Sequence, residues 1–415
     1  MKFSEYSIQP EIKKSLEEMG FKRPTDIQYK CIPSILKHED VLAIAQTGTG
    51  KTAAFAIPVL SMLSKTKQTL RQGSVRCLVL VPTRELALQL HEVFCNIGKY
   101  TELKIEVLHG GTDQDPQIDA LFDGADVLIA TPGRLFDLIS QQIFHLKHIE
   151  FFILDEADRM LDAKFSKDIA DLQKHLPSKR QTLFFSATID NKIKKLAYRF
   201  VHQKAIRIQI SPKDPVSKNV EHSVAFIEMD DKRFFLERLI MDNEGKKILV
   251  FVRTKVRAER VAAAMQRVNI PCVTLHGDKD QSERNKALEQ FKKGEQTILI
   301  ATDVSARGID IPGVEMVVNY DLPDIAENYV HRIGRTGRGR AKGLAISFCS
   351  SDEKEMLEAI ERILPKPIDR VPLTKKDYEL TKLTSAAETA DLKDILKEIE
   401  QIEQKSKAKF KGKKK

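Results

Sequence analysis

Two clusters of charged residues have the composition needed to act on a phosphate group. The first, ILDEAD at 153–158, ends an apolar run with Asp155 and Glu156. Adjacent carboxylates suit a magnesium ion and an attacking water. The second, HRIGRTGR at 331–338, carries arginines that suit the negative charge developing on a transferring phosphoryl group. The two clusters together predict phosphate chemistry shared between distant parts of the chain.

A third motif supplies a place for the phosphates. AQTGTGKT at 45–52 follows the apolar run VLAIA and precedes a helix-forming segment. Glycines let the backbone wrap phosphates, and the next helix presents unpaired N–H groups. We expect Lys51 to reach the β- and γ-phosphates and Thr52 to ligate magnesium. The general GxxxxGK[ST] pattern is matched imperfectly, because Ala45 stands at its first position.

The carboxylates after the apolar run have separate expected roles. Asp155 is placed to hold magnesium through its hydration shell, and Glu156 to orient or deprotonate water. Asp158 could instead cap the helix that follows, because acids favour helix N-termini. With the phosphate loop and the arginines, these residues predict an ATPase whose active site is split between two domains.

Short apolar runs rich in β-branched residues alternate with helix-length amphipathic segments in both halves of the chain. The runs lie at 41–45, 77–82, 127–131, 151–158, 182–188, 247–252, 272–277, 297–302 and 316–322. They predict strands buried on both faces, in parallel sheets with helices on both sides. The motifs fall at the carboxyl ends of these strands, where open α/β sheets bind ligands.

We therefore expect an α/β protein of two tandem doubly wound domains, at 1–207 and 221–367. A linker is expected at 208–220, which has two prolines, mixed charge and no helical period. Residues 368–415 should form an accessory helix and a lysine-rich tail. Within them, 392–405 has a helix-like apolar spacing whose face could pack in the core or dock elsewhere; core packing is favoured.

Composition limits the class of protein. The 415 residues suggest two or three domains, and 42% hydrophobic with 31% charged residues is typical of a globular protein. No stretch approaches the roughly 18 apolar residues of a membrane span, and the start lacks a signal-peptide pattern. The five cysteines show no CxxC spacing, which argues against zinc and predicts reduced thiols in the cytoplasm.

Most of the net charge of +9 lies at the carboxyl end. Residues 404–415 hold seven lysines and no acid, which leaves +2 for residues 1–403. Such a run is commonly a solvated tail, and it is also a simple anchor for a polyanion. Nucleic acid is the leading candidate partner.

Further motifs occur in a recognisable order. They are FKRPTDIQ (21–28), PTRELA (82–87), TPGR (131–134), SAT (186–188), ARGID (306–310) and HRIGRTGR (331–338). With them the chain resembles the DEAD-box ATP-dependent RNA helicases, and the literal DEAD stands at 155–158. Ala45 fits, because the family's own loop reads AxTGxGKT. The likeness covers roughly residues 3–350 and implies two RecA-like domains that use ATP and Mg²⁺.

The resemblance assigns a nucleotide site. Its phosphate-loop contacts would be Gln46, Thr47, Gly48, Thr49, Gly50, Lys51 and Thr52. Gln28 would read the adenine edge, while Phe21 and Phe3 would stack or pack on that base, with core packing as the alternative. Asp310 would contact the ribose. Arg335 and Arg338 would act as arginine fingers that reach the γ-phosphate on domain closure.

The resemblance also assigns coupling and RNA contacts. The coupling residues would be Asp158, Ser186, Thr188, His331 and Arg332. The RNA-backbone contacts would be Arg84, Gly111, Thr131, Gly133 and Arg134 in the first domain, and Arg253, Gly277, Gln281, Arg284 and Thr302 in the second. None is an obvious reader of base edges, so we expect binding without sequence specificity.

The implied activity is RNA-stimulated ATP hydrolysis, coupled to domain closure and to local, non-processive unwinding of RNA or remodelling of its complexes. An ATP-gated RNA clamp with little unwinding would use the same residues. A DNA motor fits the motifs less well, and a small-molecule kinase would leave the second domain unexplained. The basic tail is expected to add RNA affinity. A monomer is the default, and the sequence names no protein partner.

Overall fold

The computed structural model describes residues 2–45, 48–66, 72–162, 169, 171–188, 191–202, 204–210, 216, 219–306, 311, 313–337 and 341–385. The chain divides into two compact units, residues 1–213 and 214–415. Residues 208–210 are the end of a strand of the first unit, and Val220 begins a strand of the second. The segment expected as a linker at 208–220 is therefore shorter than its predicted bounds.

The first unit is built on a parallel sheet that has seven strands in the described part of the chain. They are β1 (Val41–Ala45), β2 (Val75–Leu80), β3 (Ile105–Leu108), β4 (Ala125–Ala130), β5 (Phe151–Leu154), β6 (Gln181–Ser186) and β7 (Ile206–Ile210). Their order across the sheet is β3-β4-β2-β5-β6-β1-β7, and every described pairing is parallel.

Helices cover both faces of this sheet. They are α1 (Pro10–Glu18), α2 (Asp26–Leu36), α3 (Lys51–Lys65), α4 (Arg84–Ile97), α5 (Asp115–Phe122), α6 (Pro132–Ser140), α7 (Ala157–Asp162) and α8 (Asn191–Phe200). Alternate residues of β1 enter different cores: Val41 and Ala43 pack with α1–α4, whereas Leu42 and Ile44 pack with α5–α8. Burial on both faces explains why the strands read as continuous apolar runs.

The second unit repeats this architecture. Its described strands are β8 (Val220–Phe226), β9 (Ile248–Val252), β10 (Val273–Leu275), β11 (Ile298–Thr302), β12 (Met316–Asn319), β13 (Gly343–Cys349) and β14 (Asp369–Arg370). They form a second parallel sheet in the order β10-β11-β9-β12-β13-β8-β14. The helices are α9 (Lys232–Met241), α10 (Lys255–Arg267), α11 (Gln281–Lys293), α12 (Asp303–Ala306), α13 (Ala326–Ile333), α14 (Lys354–Ile363) and α15 (Lys375–Ser385).

The two sheets confirm the predicted doubly wound α/β fold. Five strands gave no continuous apolar run and were not predicted: β3, β7, β8, β13 and β14. Four of them have residues that face solvent, and β3 is only partly buried over most of its length. No strand was expected within residues 368–415, but β14 lies there and pairs with β8.

The second unit also continues past the predicted boundary at 367, because α15 packs on α9. The rings of Tyr378 and Phe235 lie 4.8 Å apart, and the Tyr378 hydroxyl donates to Asp231 at 2.9 Å. Arg238 donates to the Thr381 hydroxyl at 2.7 Å. The predicted helix at 392–405 and the lysine-rich tail lie outside the described residues. None of the described helices is long and apolar enough to cross a membrane.

A buried ionic cluster joins several elements of the second unit. Lys232, which is fully buried at the start of α9, donates to the Tyr320 carbonyl at 2.7 Å and forms an ion pair with Glu353. Glu353 also accepts from Arg253 at 2.8 Å and from the Leu322 amide at 3.1 Å. Burial lowers the pKa of Lys232, opposed by the charge of Glu353. The cluster ties the ends of β9 and β12 to the turn before α14.

We predict that Lys232→Met destabilises the chain by about 3–5 kcal/mol, because it removes one member of a buried ion pair and leaves Glu353 undercompensated. Urea unfolding of the full chain, followed by circular dichroism, measures the loss. The exposed Lys366 provides the control, since Lys366→Met should change the unfolding free energy very little. A loss below about 1 kcal/mol for Lys232→Met would show that the pair does not support the fold.

Candidate functional site

The phosphate loop begins where β1 ends. Gly48 and Gly50 have φ angles of 80° and 90°, left-handed conformations that favour glycine. Gly50 is the N-cap of α3, whose first residue is Lys51. The loop therefore directs the unpaired N–H groups of the α3 N-terminus toward the carboxyl edge of the sheet. Two expected phosphate contacts, Gln46 and Thr47, lie outside the described residues.

Lys51 is buried without an anion bonded to it. Its side chain is 6% exposed, and its ammonium has no hydrogen-bond partner among the described residues. A buried cation is costly unless it is paired. An ammonium at the start of a glycine-wrapped helix N-terminus is suited to a phosphate, so the residues present fit the predicted phosphate group.

Asp155 directly follows β5 and is 3% exposed. Burial raises the pKa of its carboxyl to about 6, against the opposing effect of the Lys51 charge. Its Oδ1 accepts a hydrogen bond from the Glu156 amide at 2.9 Å. A carboxylate at the carboxyl edge, with the Thr52 hydroxyl at the start of α3 as a second oxygen, fits a hard cation. No cluster of three His, Cys, Asp or Glu ligands occurs among the described residues.

Glu156 is held in an unusual conformation. Its φ of 50° is rare for a residue with a side chain, and such strain concentrates at functional sites. Its carboxylate forms a buried ion pair with Arg159, which is 9% exposed. Arg159 was not predicted as a site residue, although its position three residues later on a helix was a signal for this contact. The pair fixes the carboxylate expected to orient water.

Asp158 makes the contact expected of a coupling residue. Its Oδ1 accepts from the Ser186 hydroxyl at 2.9 Å and from the Ala187 amide at 3.3 Å. These bonds join the start of α7 to the end of β6, and Ser186 is completely buried. Thr188, two residues further on, is half-buried, and its coupling role stays a prediction.

Gln28 holds the phosphate loop from α2. Its Oε1 accepts from the Thr25 amide at 2.9 Å, and its Nε2 donates to the Gly50 carbonyl at 3.1 Å. The Thr25 hydroxyl adds a bond to the Thr49 carbonyl at 2.8 Å. Gln28 therefore supports the phosphate loop, a role that was not predicted. An adenine contact stays a prediction and would use the second N–H and the remaining lone pair of the amide.

The two aromatic residues expected near the base differ in exposure. Phe3 is 4% exposed and packs in the core, where its ring lies 5.8 Å from that of Phe21 in an edge-to-face arrangement. Phe3 therefore packs in the core, as the alternative to a base contact predicted, because its ring has no open face on which a base could stack. Phe21 is only partly buried and is positioned by Phe3; its contact with a base stays a prediction.

A surface of the first unit gathers residues expected to bind a nucleic-acid backbone. They follow the neighbouring strands β2, β3 and β4: Arg84, Gly111, Thr131, Gly133 and Arg134. Gly111 has a φ of 79°, and a Cβ there would lie 1.8 Å from Nη1 of Arg84. A side chain at this position would displace the guanidinium from where it lies over Gly111. Arg134 donates to the Thr112 carbonyl at 2.8 Å, and no atom lies within 4 Å of a Cβ at Gly133.

The corresponding residues of the second unit are Arg253, Gly277, Gln281, Arg284 and Thr302. Gly277 has open space around it, and Gln281 is the first residue of α11. Thr302 ends β11 and is 8% exposed. Arg253 differs, because its guanidinium already pairs with Glu353 and with Asp324 at 3.1 Å. Its structural role in the buried ionic cluster was not predicted.

Two of the arginines expected to act at the nucleotide site or in coupling are buried in the second unit. Arg332 is 1% exposed; it pairs with both oxygens of Asp303, at 2.6 and 2.9 Å, and donates to the Asp321 carbonyl at 2.6 Å. Arg332 thus has a structural role within its own unit, and its coupling role stays a prediction. Arg335 is 4% exposed and donates to the carbonyl of the half-buried His331 at 3.3 Å. The expected ribose contact Asp310 and finger Arg338 lie outside the described residues.

Comparisons with known proteins agree with these features. Residues 25–196 match the DEAD/DEAH box helicase family model, and residues 231–340 match the helicase conserved C-terminal domain. The chain is 38% identical over 410 residues to the DEAD-box ATP-dependent RNA helicase CshA of Geobacillus kaustophilus, covering 96% of this chain and 86% of that protein. It is 40% identical over 375 residues to the ATP-dependent rRNA helicase RRP3 of Scheffersomyces stipitis, covering 90% and 76%.

Solved structures are similar over nearly the whole chain. S. cerevisiae Dbp5 bound to RNA and ADP BeF3 superposes with a TM-score of 0.80 at 32% identity, covering 93% of this chain and 99% of that one. Mss116p bound to ssRNA and AMP-PNP gives a TM-score of 0.81 at 29% identity, covering 93% and 81%.

The contact between Gln28 and the phosphate loop can be tested by a matched pair of glycine substitutions. Gly48→Ala and Gly50→Ala should each cost about 1–2 kcal/mol for the left-handed conformation. Gly50→Ala should cost about 1 kcal/mol more, because its Cβ would lie 2.5 Å from Nε2 of Gln28 and displace that hydrogen bond, whereas a Cβ at Gly48 has open space. Denaturant unfolding of each variant measures the difference.

The control for this comparison removes the partner. In a Gln28→Ala background most of the extra cost of Gly50→Ala over Gly48→Ala should disappear, because the nearest side chain is gone and only the Thr25 hydroxyl remains close, at 3.2 Å. Equal costs for the two glycine substitutions in the parent chain would contradict the role given to Gln28.

Proposed function

This chain belongs to the DEAD-box ATP-dependent RNA helicases, with two tandem RecA-like domains, and on that premise we propose how its own residues carry out the reaction. The helicase is an ATPase, and in the proposal residues of both units act on its nucleotide. The observation that carries the proposal is the buried, unbonded ammonium of Lys51 beside the desolvated carboxyl of Asp155. Both groups lie at the same edge of one sheet, and each is suited to a ligand of the opposite charge.

In the proposal, the phosphates of ATP lie on the N-terminus of α3, with Lys51 on the β- and γ-phosphates. Thr52 and Asp155 would hold a Mg²⁺ ion, which neutralises charge on the phosphates when bound. Glu156 orients the attacking water, and Arg159 keeps its carboxylate in place. Gln28 reads adenine while it supports Gly50, so base recognition acts on the loop that grips the phosphates.

RNA is proposed to bind through its backbone. The Arg84 guanidinium over Gly111 and the nearby Arg134 offer charged donors beside open backbone. Gly277 and Gln281 offer a similar surface in the second unit. Because the donors suit phosphates and sugars, binding does not depend on base sequence. The solved Dbp5 and Mss116p complexes with RNA support this assignment by analogy.

We propose that ATP and RNA each favour a state in which the arginines of the second unit, Arg335 and Arg338, act on the γ-phosphate. An arginine finger contributes about 10³–10⁵ in rate, so hydrolysis depends on reaching that state. The bonds from Ser186 and Ala187 to Asp158 connect the DEAD segment to the end of β6 and provide a route for coupling. Gripping one RNA strand along a path that a duplex cannot follow unwinds a few base pairs locally.

Other expectations stay predictions. They are the added RNA affinity of the lysine-rich tail, the cytoplasmic location and the monomeric state. The Mg²⁺ ligands belong to the proposal as well.

We predict that single-stranded RNA stimulates ATP hydrolysis by the parent chain and that matched DNA does not, because the 2′-hydroxyls distinguish the two. Arg335→Ala should remove the stimulated rate, by up to about 10³–10⁵-fold. Steady-state phosphate release with no nucleic acid, with RNA and with DNA measures both effects. Arg335→Lys tests the guanidinium fork itself, since lysine keeps the charge without the planar donors.

The matched control is Arg362→Ala, because Arg362 is a 76% exposed arginine on α14; its rates should equal those of the parent. Equal stimulation by DNA would overturn the RNA assignment. Full stimulation of a folded Arg335→Ala chain would overturn the shared active site. Normal stimulation without strand separation would favour the ATP-gated clamp.

A further inference from the structure

A groove in the second unit lies outside the contacts described above. It runs between α9 and α10 and has a volume of about 490 Å³. Four arginines line it, and we call it the arginine groove: Arg233, Arg257, Arg260 and Arg267. The other lining residues include a single acid, Asp230, so the charged residues of the groove sum to a formal +3.

Most of this charge has no anionic partner in the described part of the chain. Arg260 and Arg267 are exposed, and the structure gives them no ion pair or hydrogen bond with a described residue. The Arg233 guanidinium contacts only the ring of Phe234, at 4.4 Å. Arg257 alone is paired, with Asp321 at 3.2 Å. The groove therefore presents guanidinium groups that are free to bind an anion.

The groove starts at the edge of the sheet proposed to bind RNA. Helix α10 begins three residues after β9 ends, and Lys255 at its start pairs with Asp278 at 2.6 Å. Asp278 lies between Gly277 and Gln281, both proposed RNA contacts. From Arg257 to Arg267 the helix rises about 15 Å, at about 1.5 Å per residue. A strand that leaves the Gly277 loop along α10 therefore meets Arg257, Arg260 and Arg267 in turn, beyond the carboxylates of Asp278, which pairs with Lys255, and Glu259, which pairs with His276 and Lys279.

The chemistry of the lining favours phosphates over a protein partner. Guanidinium groups bind phosphate oxygens bidentately, through pairs of N–H donors. Protein interfaces usually have an apolar or aromatic centre. Here Tyr320 and Val261 are covered, at 5% and 4% exposed, and Met229 is half-buried. The small side chains of Ala263 and Ala264 let an extended backbone approach closely.

We propose that the arginine groove binds the phosphate backbone of the RNA strand beyond the core site, as an extension of that site along α10. This inference rests on the proposed function, because it assumes RNA at the Gly277 loop. Contacts through phosphates give length-dependent and salt-dependent affinity without base preference. The extension increases the length of single-stranded RNA that the second unit contacts.

The test compares the parent with Arg260→Gln combined with Arg267→Gln. RNA affinity is measured as a function of salt for oligouridines of about 6 and about 30 nucleotides, since single-strand sites span roughly 4–16 nucleotides. For the long strand, the log–log salt slope of the variant should be smaller by about 1.4, at ~0.7 per lost phosphate contact. For the short strand, slope and affinity should equal those of the parent.

Two controls keep the result specific. Arg362→Gln with Lys366→Gln removes the same charge from exposed positions outside the groove and should leave both slopes and the ATPase rate unchanged. Arg260→Lys with Arg267→Lys keeps the charge and should retain most of the long-strand slope. The thermal unfolding midpoint of each variant verifies that the chain is folded.

The outcomes separate the groove from the proposed function. An unchanged long-strand slope in the glutamine variant, with RNA-stimulated ATP hydrolysis intact in the parent, overturns the groove alone. An equal loss for short and long strands also overturns it, because the arginines would then belong to the core site. If RNA does not stimulate the parent, the proposed function falls, and the groove falls with it.

Discussion

Lys51 and Asp155 carry opposite charges at places where water has almost no access, and the nucleotide site depends on that arrangement. They reach the same edge because β5, β6 and β1 are neighbours in one parallel sheet. Burial raises the pKa of Asp155 to about 6, and the Lys51 charge opposes the rise. Neither charge is fully compensated by the described residues. We propose that a phosphate compensates the positive charge of Lys51 and that a cation compensates the negative charge of Asp155.

The parallel topology has a second consequence, since it sends every strand end of a unit to one edge. The phosphate loop after β1, the DEAD segment after β5 and Ser186 at the end of β6 meet there, and the Arg84–Gly111 contact lies further along the same edge. The proposed nucleotide and RNA contacts of the first unit therefore lie along the same edge of one sheet. The Asp158–Ser186 bond is a short connection within that edge.

The sequence predicts much of the fold and of the candidate site, but not all of either. Continuous apolar runs predict the strands that are buried on both faces, such as β1 and β9, whereas β3 and β7 at the sheet edges lack them. Motif order identified the family, and the residue types at the predicted site follow from phosphate chemistry. The contacts of three further residues depend on packing, which the motifs do not predict. Arg332 and Phe3 are buried, and Arg253 belongs to an ionic cluster formed by residues distant in sequence.

Some features have no signal in a motif. The left-handed backbone of Glu156 appears only when α7 is folded onto the end of β5. In the sequence, the pattern of arginines in α10 is typical of the solvated face of a helix. They become a groove only because α9 lies beside them. Function at these places depends on three-dimensional proximity, which residue spacing alone does not report.

The proposed function requires that the binding of ATP and the binding of RNA are coupled. Such coupling is reciprocal for binding free energies. The most direct measurement is the affinity of the full chain for single-stranded RNA with and without a non-hydrolysable ATP analogue, and of the analogue with and without RNA. We predict that each ligand raises the affinity for the other by the same factor, about 5–150-fold for a coupling of 1–3 kcal/mol. Equal RNA affinities with and without the analogue would contradict the claim that both ligands favour one active state.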